Sequence, residues 1–207
     1  MRVAAFTTVG VERCKCRAIS PGVVHLAAVP FAGMEPLEYV KLSSETLFNV
    51  LEAAQRWDVR RVSLASTIGV YAGAVRPGPL DEDIPLPLAA SAALSIPTVK
   101  HCAELLASFV GAHSQIEVIN MRFSAIWGPL GRTHSPFFAA PALVHAAVSR
   151  RPLELPARQP NRYSEDAIDM CYVKDCARAI ALLQTADTLG HTTYNVGAAE
   201  RPATQSS

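Results

Sequence analysis

Gly22-Val23-Val24-His25-Leu26-Ala27-Ala28 is an unbroken apolar run containing two β-branched valines. Its length suits one strand, and the lack of alternation points to burial on both faces, as in a parallel sheet. Pro36 then suits the first turn of a helix. Val40, Leu47, Val50, Leu51 and Ala54 recur at helical spacing behind it, which predicts a long helix over 36–57 that ends near Trp57-Asp58. Arg60 to Ser66 reads as the next strand. Residues 72–97, rich in proline, alanine and acidic side chains, read as a long loop, and loops of that length usually serve a function. A second helix is predicted from Val99 to Ala112, a third strand from Ile116 to Phe123 and a helix from Pro136 to Ser149. Lys174–Thr185 is helical, with Cys176, Ala179, Ile180 and Leu183 on one face, and Thr192–Val196 is a last short strand. The tail from Arg201 is polar. Strand, long helix, strand, helix, strand is the alternation of an α/β protein with a doubly wound parallel sheet.

The chain has 207 residues, half of them hydrophobic and 18% charged, which is ordinary for a globular domain. A chain of this size buries roughly 70% of its unfolded surface, and 1–207 reads as a single domain. Nineteen basic and 18 acidic residues leave a net charge of +1. That balance offers no electrostatic reason to expect nucleic acid or an anionic membrane as partner. No apolar run reaches the ~20 residues of a membrane helix, and Met1–Phe6 makes a poor secretory signal. Cys14, Cys16, Cys102, Cys171 and Cys176 are odd in number and lack both a disulfide framework and metal-ligand spacing. Unpaired thiols favour a reducing, cytoplasmic setting, and no metal site is expected.

Six segments carry chemistry when taken together. His25-Leu26-Ala27-Ala28 ends the first strand with small side chains that would let a nucleotide approach the backbone; taken alone, His25 reads more readily as a hydrogen-bonded core residue than as a ligand. Leu64-Ala65-Ser66-Thr67-Ile68-Gly69-Val70-Tyr71 ends the second strand, where a Ser/Thr pair either caps a turn or presents hydroxyls. Asp81-Glu82-Asp83-Ile84-Pro85 follows in the loop. Ile96-Pro97-Thr98-Val99-Lys100 and Glu104 open the second helix. Spacings of four put Ile96, Lys100 and Glu104 on one face, and Lys100–Glu104 reads equally as a surface ion pair. Met121-Arg122-Phe123-Ser124-Ala125-Ile126-Trp127-Gly128-Pro129 and Asp169–Ala179 are the fifth and sixth. The last of these places Asp175 where it would cap or brace a helix, and Tyr194-Asn195-Val196-Gly197 comes after it.

In order and spacing these segments resemble the NAD-dependent epimerase/dehydratase family, the extended short-chain dehydrogenase/reductases. The resemblance covers residues 22–200. It implies a partial Rossmann-like doubly wound sheet, NAD or NADP as cofactor, and a nucleotide sugar as substrate. By the same resemblance Leu26, Ala27, Ala28, Ser66, Lys100 and Phe123 would bind cofactor, and Thr67 and Ser124 would meet substrate. Thr67 and Lys100 would be the catalytic pair. The family's general acid/base is a tyrosine four residues before the lysine, and Ile96 stands there. An alkyl group exchanges no proton.

The family's G-x-x-G-x-x-G phosphate loop is absent. Thr7, Gly10 and Arg13 would occupy its glycine positions, and only eleven residues separate Gly10 from Gly22. The chain therefore reads as the middle of an epimerase/dehydratase shortened at both ends. Three functions follow from this: a catalytically impaired enzyme, a non-catalytic module that binds or dimerises, or an atypical reductase taking its proton from Tyr71, Tyr172 or water. Homodimerisation in the family uses the two long helices, here near 36–57 and 97–112.

Overall fold

The computed structural model describes residues 22–30, 33–75, 78–131, 135, 139–153 and 169–197. The candidate phosphate loop, Cys14, Cys16, the start of the predicted 136–149 helix and the polar tail lie outside them. The chain forms two compact units. The first holds the residues up to Phe123 together with Arg178–Val196, and the second holds Ser124–Ala177 with the residues from Gly197 on.

In the first unit four parallel strands lie in the order β1 (Gly22–His25), β2 (Arg61–Thr67), β3 (Glu117–Phe123) and β6 (Thr193–Val196). The expected α/β, Rossmann-like parallel sheet is present. Two long helices, α1 (Pro36–Arg56) and α3 (Ser95–Ala112), cover one face. Alternate residues of a strand point to opposite faces. Val62 and Leu64 of β2 accordingly join Leu47, Leu51 and Ala54 of α1 and Ala107 of α3 in the core. Arg61 and Ser63 turn the other way and meet the last turns of α5 (Val173–Thr185). There Gln184 Nε2 donates to Ser63 Oγ at 2.6 Å and to the Val23 carbonyl at 3.2 Å.

Arg61 is 1% exposed. Its Nη1 donates to the carbonyls of Leu183, Gln184 and Ala186 at 2.6, 3.1 and 2.8 Å. Glu117 lies 2.7 Å from Nη2. A guanidinium thus satisfies the orphan carbonyls at the negative end of α5.

α1 ends as expected, with Asp58 at φ 52°, a left-handed residue that stops helices. α3 starts four residues before the predicted Val99. Pro97 is no obstacle, because an N–H in the first turn has no intrahelical partner. The stretch predicted as loop over 72–97 carries a five-residue helix, α2 (Leu88–Ala92), whose alanines are strong helix formers. A 3₁₀ turn at Ile68–Tyr71 links β2 to that stretch.

In the second unit β4 (Ala125–Trp127) pairs in parallel with β5 (Met170–Tyr172), and α4 (Ala140–Ser149) precedes β5. Three residues are too few for periodicity to reveal a strand. Gly128 has φ 154°, and a Cβ there would stand 2.5 Å from Val173 Cγ1, so glycine is needed at this turn. Asp175 is exposed in the first turn of α5, where its charge favours the helix dipole.

Candidate functional site

β1 ends opposite Leu64 of β2, and beyond its end a cleft of about 40 Å³ opens. His25, Ala27 and Ala28 line it from β1, Ala65 from β2, Tyr39, Ser43 and Thr46 from α1, and Lys100 from α3. The helical spacing 39, 43, 46 puts the three hydroxyl-bearing residues on one stripe. Sequence reasoning found Ala27, Ala28 and Lys100 and missed His25 and the α1 wall. The spacing of those hydroxyls on an otherwise apolar face was its available signal.

No acidic side chain lines the cleft. Among the described residues Lys100 has no hydrogen bond or ion pair, and burial holds its pKa below the ordinary value. Burial, with the nearby Lys100 charge, also lowers His25 to about 4. His25 is therefore a neutral imidazole wall at physiological pH rather than a second cation.

That depression has a consequence for stability. A histidine titrates near 6.5 when unfolded, so the unfolded chain binds more protons between about pH 4 and 6.5. Stability is fully present above 6.5 and is lost as pH falls towards 4. On going from pH 7.5 to 5 the loss from this group is about 2 kcal/mol. His25→Gln removes the titration, so urea unfolding at the two pH values should show a difference smaller by that amount. A variant with an unchanged pH difference would refute the assignment.

Behind the cleft lies a buried polar network. Glu104, 6% exposed, is turned from Lys100 towards the sheet. It pairs with Arg122, with Nη2–Oε2 at 2.8 Å and Nε donating to both oxygens at 3.1 and 3.2 Å. Ser66 Oγ also donates to Glu104. The surface Lys100–Glu104 ion pair that the spacing allowed is not formed. Arg122 Nη1 donates to the Tyr71 hydroxyl at 2.7 Å and the Glu82 carbonyl at 2.9 Å. Tyr71 donates to Asn195 Oδ1 at 2.8 Å, and Asn195 Nδ2 donates to the Leu80 carbonyl at 2.9 Å. Burial works against the Arg122 charge, but Glu104 and Tyr71 outweigh it and hold the guanidinium above its usual range. The network pins the 80–82 loop to the ends of β2, β3 and β6.

The remaining candidates fall at defined places. Thr67 ends β2, beside its Cα partner Phe123 at the end of β3. Its Oγ1 accepts from Gly69 N at 3.1 Å, which leaves its O–H free to donate. Gly69 packs on Pro97, so the turn after Thr67 meets the first turn of α3. Thr67 and Lys100 thus share the carboxyl end of the sheet. Ile96 lies one turn before Lys100 and is 39% exposed. Leu26 is 53% exposed and lies outside the cleft lining, and Phe123 is buried. Ser124 opens the second unit, buried, with no hydrogen-bond partner for its hydroxyl among the described residues. Of the tyrosines named as alternative proton donors, Tyr71 has its hydroxyl in the network, and the Tyr172 ring lies edge-on to Trp127 at 6.0 Å. Cys176 is pushed up to about 12 by burial and by Cys171, which makes it a poor nucleophile. Among the described residues no cluster of three metal-ligating side chains occurs, and no helix is long and apolar enough to cross a membrane.

Comparison with known proteins agrees with the fold. The chain is 28% identical over 184 residues to UDP-glucuronate 4-epimerase of Thermodesulfobacterium geofontis, which covers 87% of this chain and 52% of that protein. Its fold superposes on Thermus thermophilus UDP-glucose 4-epimerase, solved with NAD, with a TM-score of 0.69 at 24% identity, covering 87% of this chain and 57% of the other. UDP-glucuronic acid 4-epimerase of Bacillus cereus, solved with UDP-glucuronic acid and NAD, gives 0.67 at 23%, covering 87% and 55%. At these identities the two structures share a fold. The chain spans about half the length of the first curated relative it matches. The family model for NAD dependent epimerases/dehydratases matches residues 17–197, and the chain belongs to that family.

Proposed function

We propose that this chain is a nicotinamide-cofactor module of the nucleotide-sugar epimerase/dehydratase kind whose turnover is impaired. The observation that carries this is Lys100, a side chain without a hydrogen-bond or ion-pair partner among the described residues, which opens into a cleft of small side chains one turn after Ile96. The residues fit the ribose end of NAD or NADP. Ala27, Ala28 and Ala65 leave bare strand ends for close approach, and Lys100 would bind ribose hydroxyls. Leu26, Ser66 and Phe123 would support that surface, Ser66 and Phe123 from buried positions. When bound, the cofactor would supply hydride exchange at a sugar carbon. Thr67 would orient a substrate hydroxyl with its free O–H, and Ser124 would meet the substrate. Ile96 neither gives nor takes the accompanying proton, and a positioned donor is worth roughly 10²–10⁴ in rate. The free thiols Cys102, Cys171 and Cys176 suit a cytoplasmic setting.

A binding-module reading is favoured by a separate observation. Leu37, Val40 and Phe48 on α1 and Leu105, Leu106 and Phe109 on α3 are exposed. This surface is apolar enough for a homodimer through the two helices.

The test is a fluorescence titration with NADH and NADPH, with the particle mass of the same sample read by light scattering. Saturable binding weakened at least about tenfold in Lys100→Ala, on a two-chain particle, is the expected result. No signal at millimolar nucleotide removes the cofactor reading, and a one-chain particle removes the dimer.

A further inference from the structure

We propose that Lys100 is a nucleophilic amine that condenses reversibly with short uncharged aldehydes and ketones entering the cleft. This activity goes beyond hydride exchange and does not rest on cofactor binding.

Four observations converge. Lys100 reaches a partly enclosed cleft walled by Ala27, Ala28, Leu64, Ala65 and Ala103. Among the described residues no carboxylate lines that cleft to hold the amine protonated. Its nitrogen has no hydrogen-bond or ion-pair partner among the described residues, so nothing must be broken before it attacks. Position 96 offers an alkyl group where a hydroxyl could have tied the amine down. Lysines desolvated in this way are the ones that form Schiff bases, because burial favours the neutral amine. The downward shift of Lys100 agrees with the geometry. Uncharged substrates are favoured because His25 stays neutral, leaving no cation in the wall to hold a carboxylate or phosphate once the lysine is neutral.

The chemistry closes without a redox partner. The Nζ lone pair forms a bond to the carbonyl carbon. The C=O π pair moves to oxygen, which takes a proton, and the nitrogen loses one. The resulting carbinolamine then expels its hydroxyl as water while the nitrogen lone pair makes the C=N bond. One carbonyl and one amine yield one imine and one water.

Reductive trapping tests the idea on the intact chain without nucleotide. Propanal with cyanoborohydride at pH 7 alkylates unprotonated amines, and peptide mass spectrometry assigns the site among Lys15, Lys41, Lys100 and Lys174. Lys41 and Lys174 are exposed and serve as internal references. A lowered pKa raises the neutral fraction at pH 7, so Lys100 should be trapped faster than either. The advantage should shrink towards pH 10, where exposed lysines also deprotonate. Ala28→Asp sets a carboxylate at the cleft and should return Lys100 to the reference rate in a protein whose circular dichroism is unchanged. Trapping of Lys100 no faster than Lys41 at pH 7 overturns the proposal, as does an advantage that survives Ala28→Asp in the folded variant. Because no cofactor is present, either result is independent of whether NADH binds.

Discussion

Glu104→Ala should destabilise the protein by about 3–5 kcal/mol, the penalty for leaving one member of a buried ion pair alone. Glu104 and Arg122 are 6% and 5% exposed, and three contacts between 2.8 and 3.2 Å join them. Without the carboxylate, Arg122 keeps its charge in a site closed to water, and Ser66 loses its acceptor. At about 2–4 °C per kcal/mol for a chain of this length, the melting temperature should fall by about 10 °C. Damage should spread to the 80–82 loop, since Arg122 also holds the Glu82 carbonyl and the Tyr71 hydroxyl. Replacing both charges by apolar groups of similar shape, Glu104→Leu with Arg122→Met, should recover most of the loss, because no isolated charge is then buried. Urea or thermal unfolding of the two singles and the double measures the coupling. A Glu104→Ala cost below about 1 kcal/mol would show that the pair is solvated and the network incidental.

Ile96→Tyr should raise epimerase or dehydratase turnover by about 10²–10⁴, the worth of a positioned general acid/base. Ile96 sits in the first turn of α3, one turn before Lys100, so a phenol there falls on the same helix face as the ammonium. A cation at that distance favours the phenolate and brings its pKa towards neutrality. The side chain has room, since Ile96 is 39% exposed. The gain requires cofactor binding, so the rate is read on protein already shown to bind NADH. Nucleotide bound with no rise in turnover of any UDP-sugar would mean that the proton is not the missing element. Turnover by the parent chain at the variant's rate would place its proton donor elsewhere.

The two results bear on different levels of the molecule. The first concerns how the sheet ends are held, and the second concerns whether the cleft they frame can move a proton. A chain could keep the first while having lost the second, because the Glu104–Arg122 network contributes to folding whatever happens at residue 96.

Much of the scaffold was readable from local pattern. The 22–28 run predicted a parallel strand buried on both faces; β1 is parallel and occupies its first four residues, but these are only half-buried. The apolar stripe from Val40 to Ala54 and Pro36 predicted α1 to within a residue. β4 and β5 escaped notice because three-residue strands carry no period, and α2 because alanine-rich helix and proline-rich loop overlap in composition. Within the site, Lys100 with Ala27 and Ala28 was legible from motif order. Tyr39, Ser43 and Thr46 were not, since a helical stripe does not say which cleft it will face.

What residue order determined by itself was therefore the alternation of strands and helices, the family, and the alkyl side chain at position 96, for each depends on neighbours along the chain. Tertiary structure alone decided that Glu104 leaves Lys100 for Arg122 and Ser66, which are 18 and 38 residues away in sequence. A carboxylate turned into the core needs a cation that also faces inward, and only the parallel order β1-β2-β3-β6 brings Arg122 beneath α3. That choice leaves Lys100 in its cleft without a counter-ion among the described residues, and the chemistry proposed for this protein begins from that isolation.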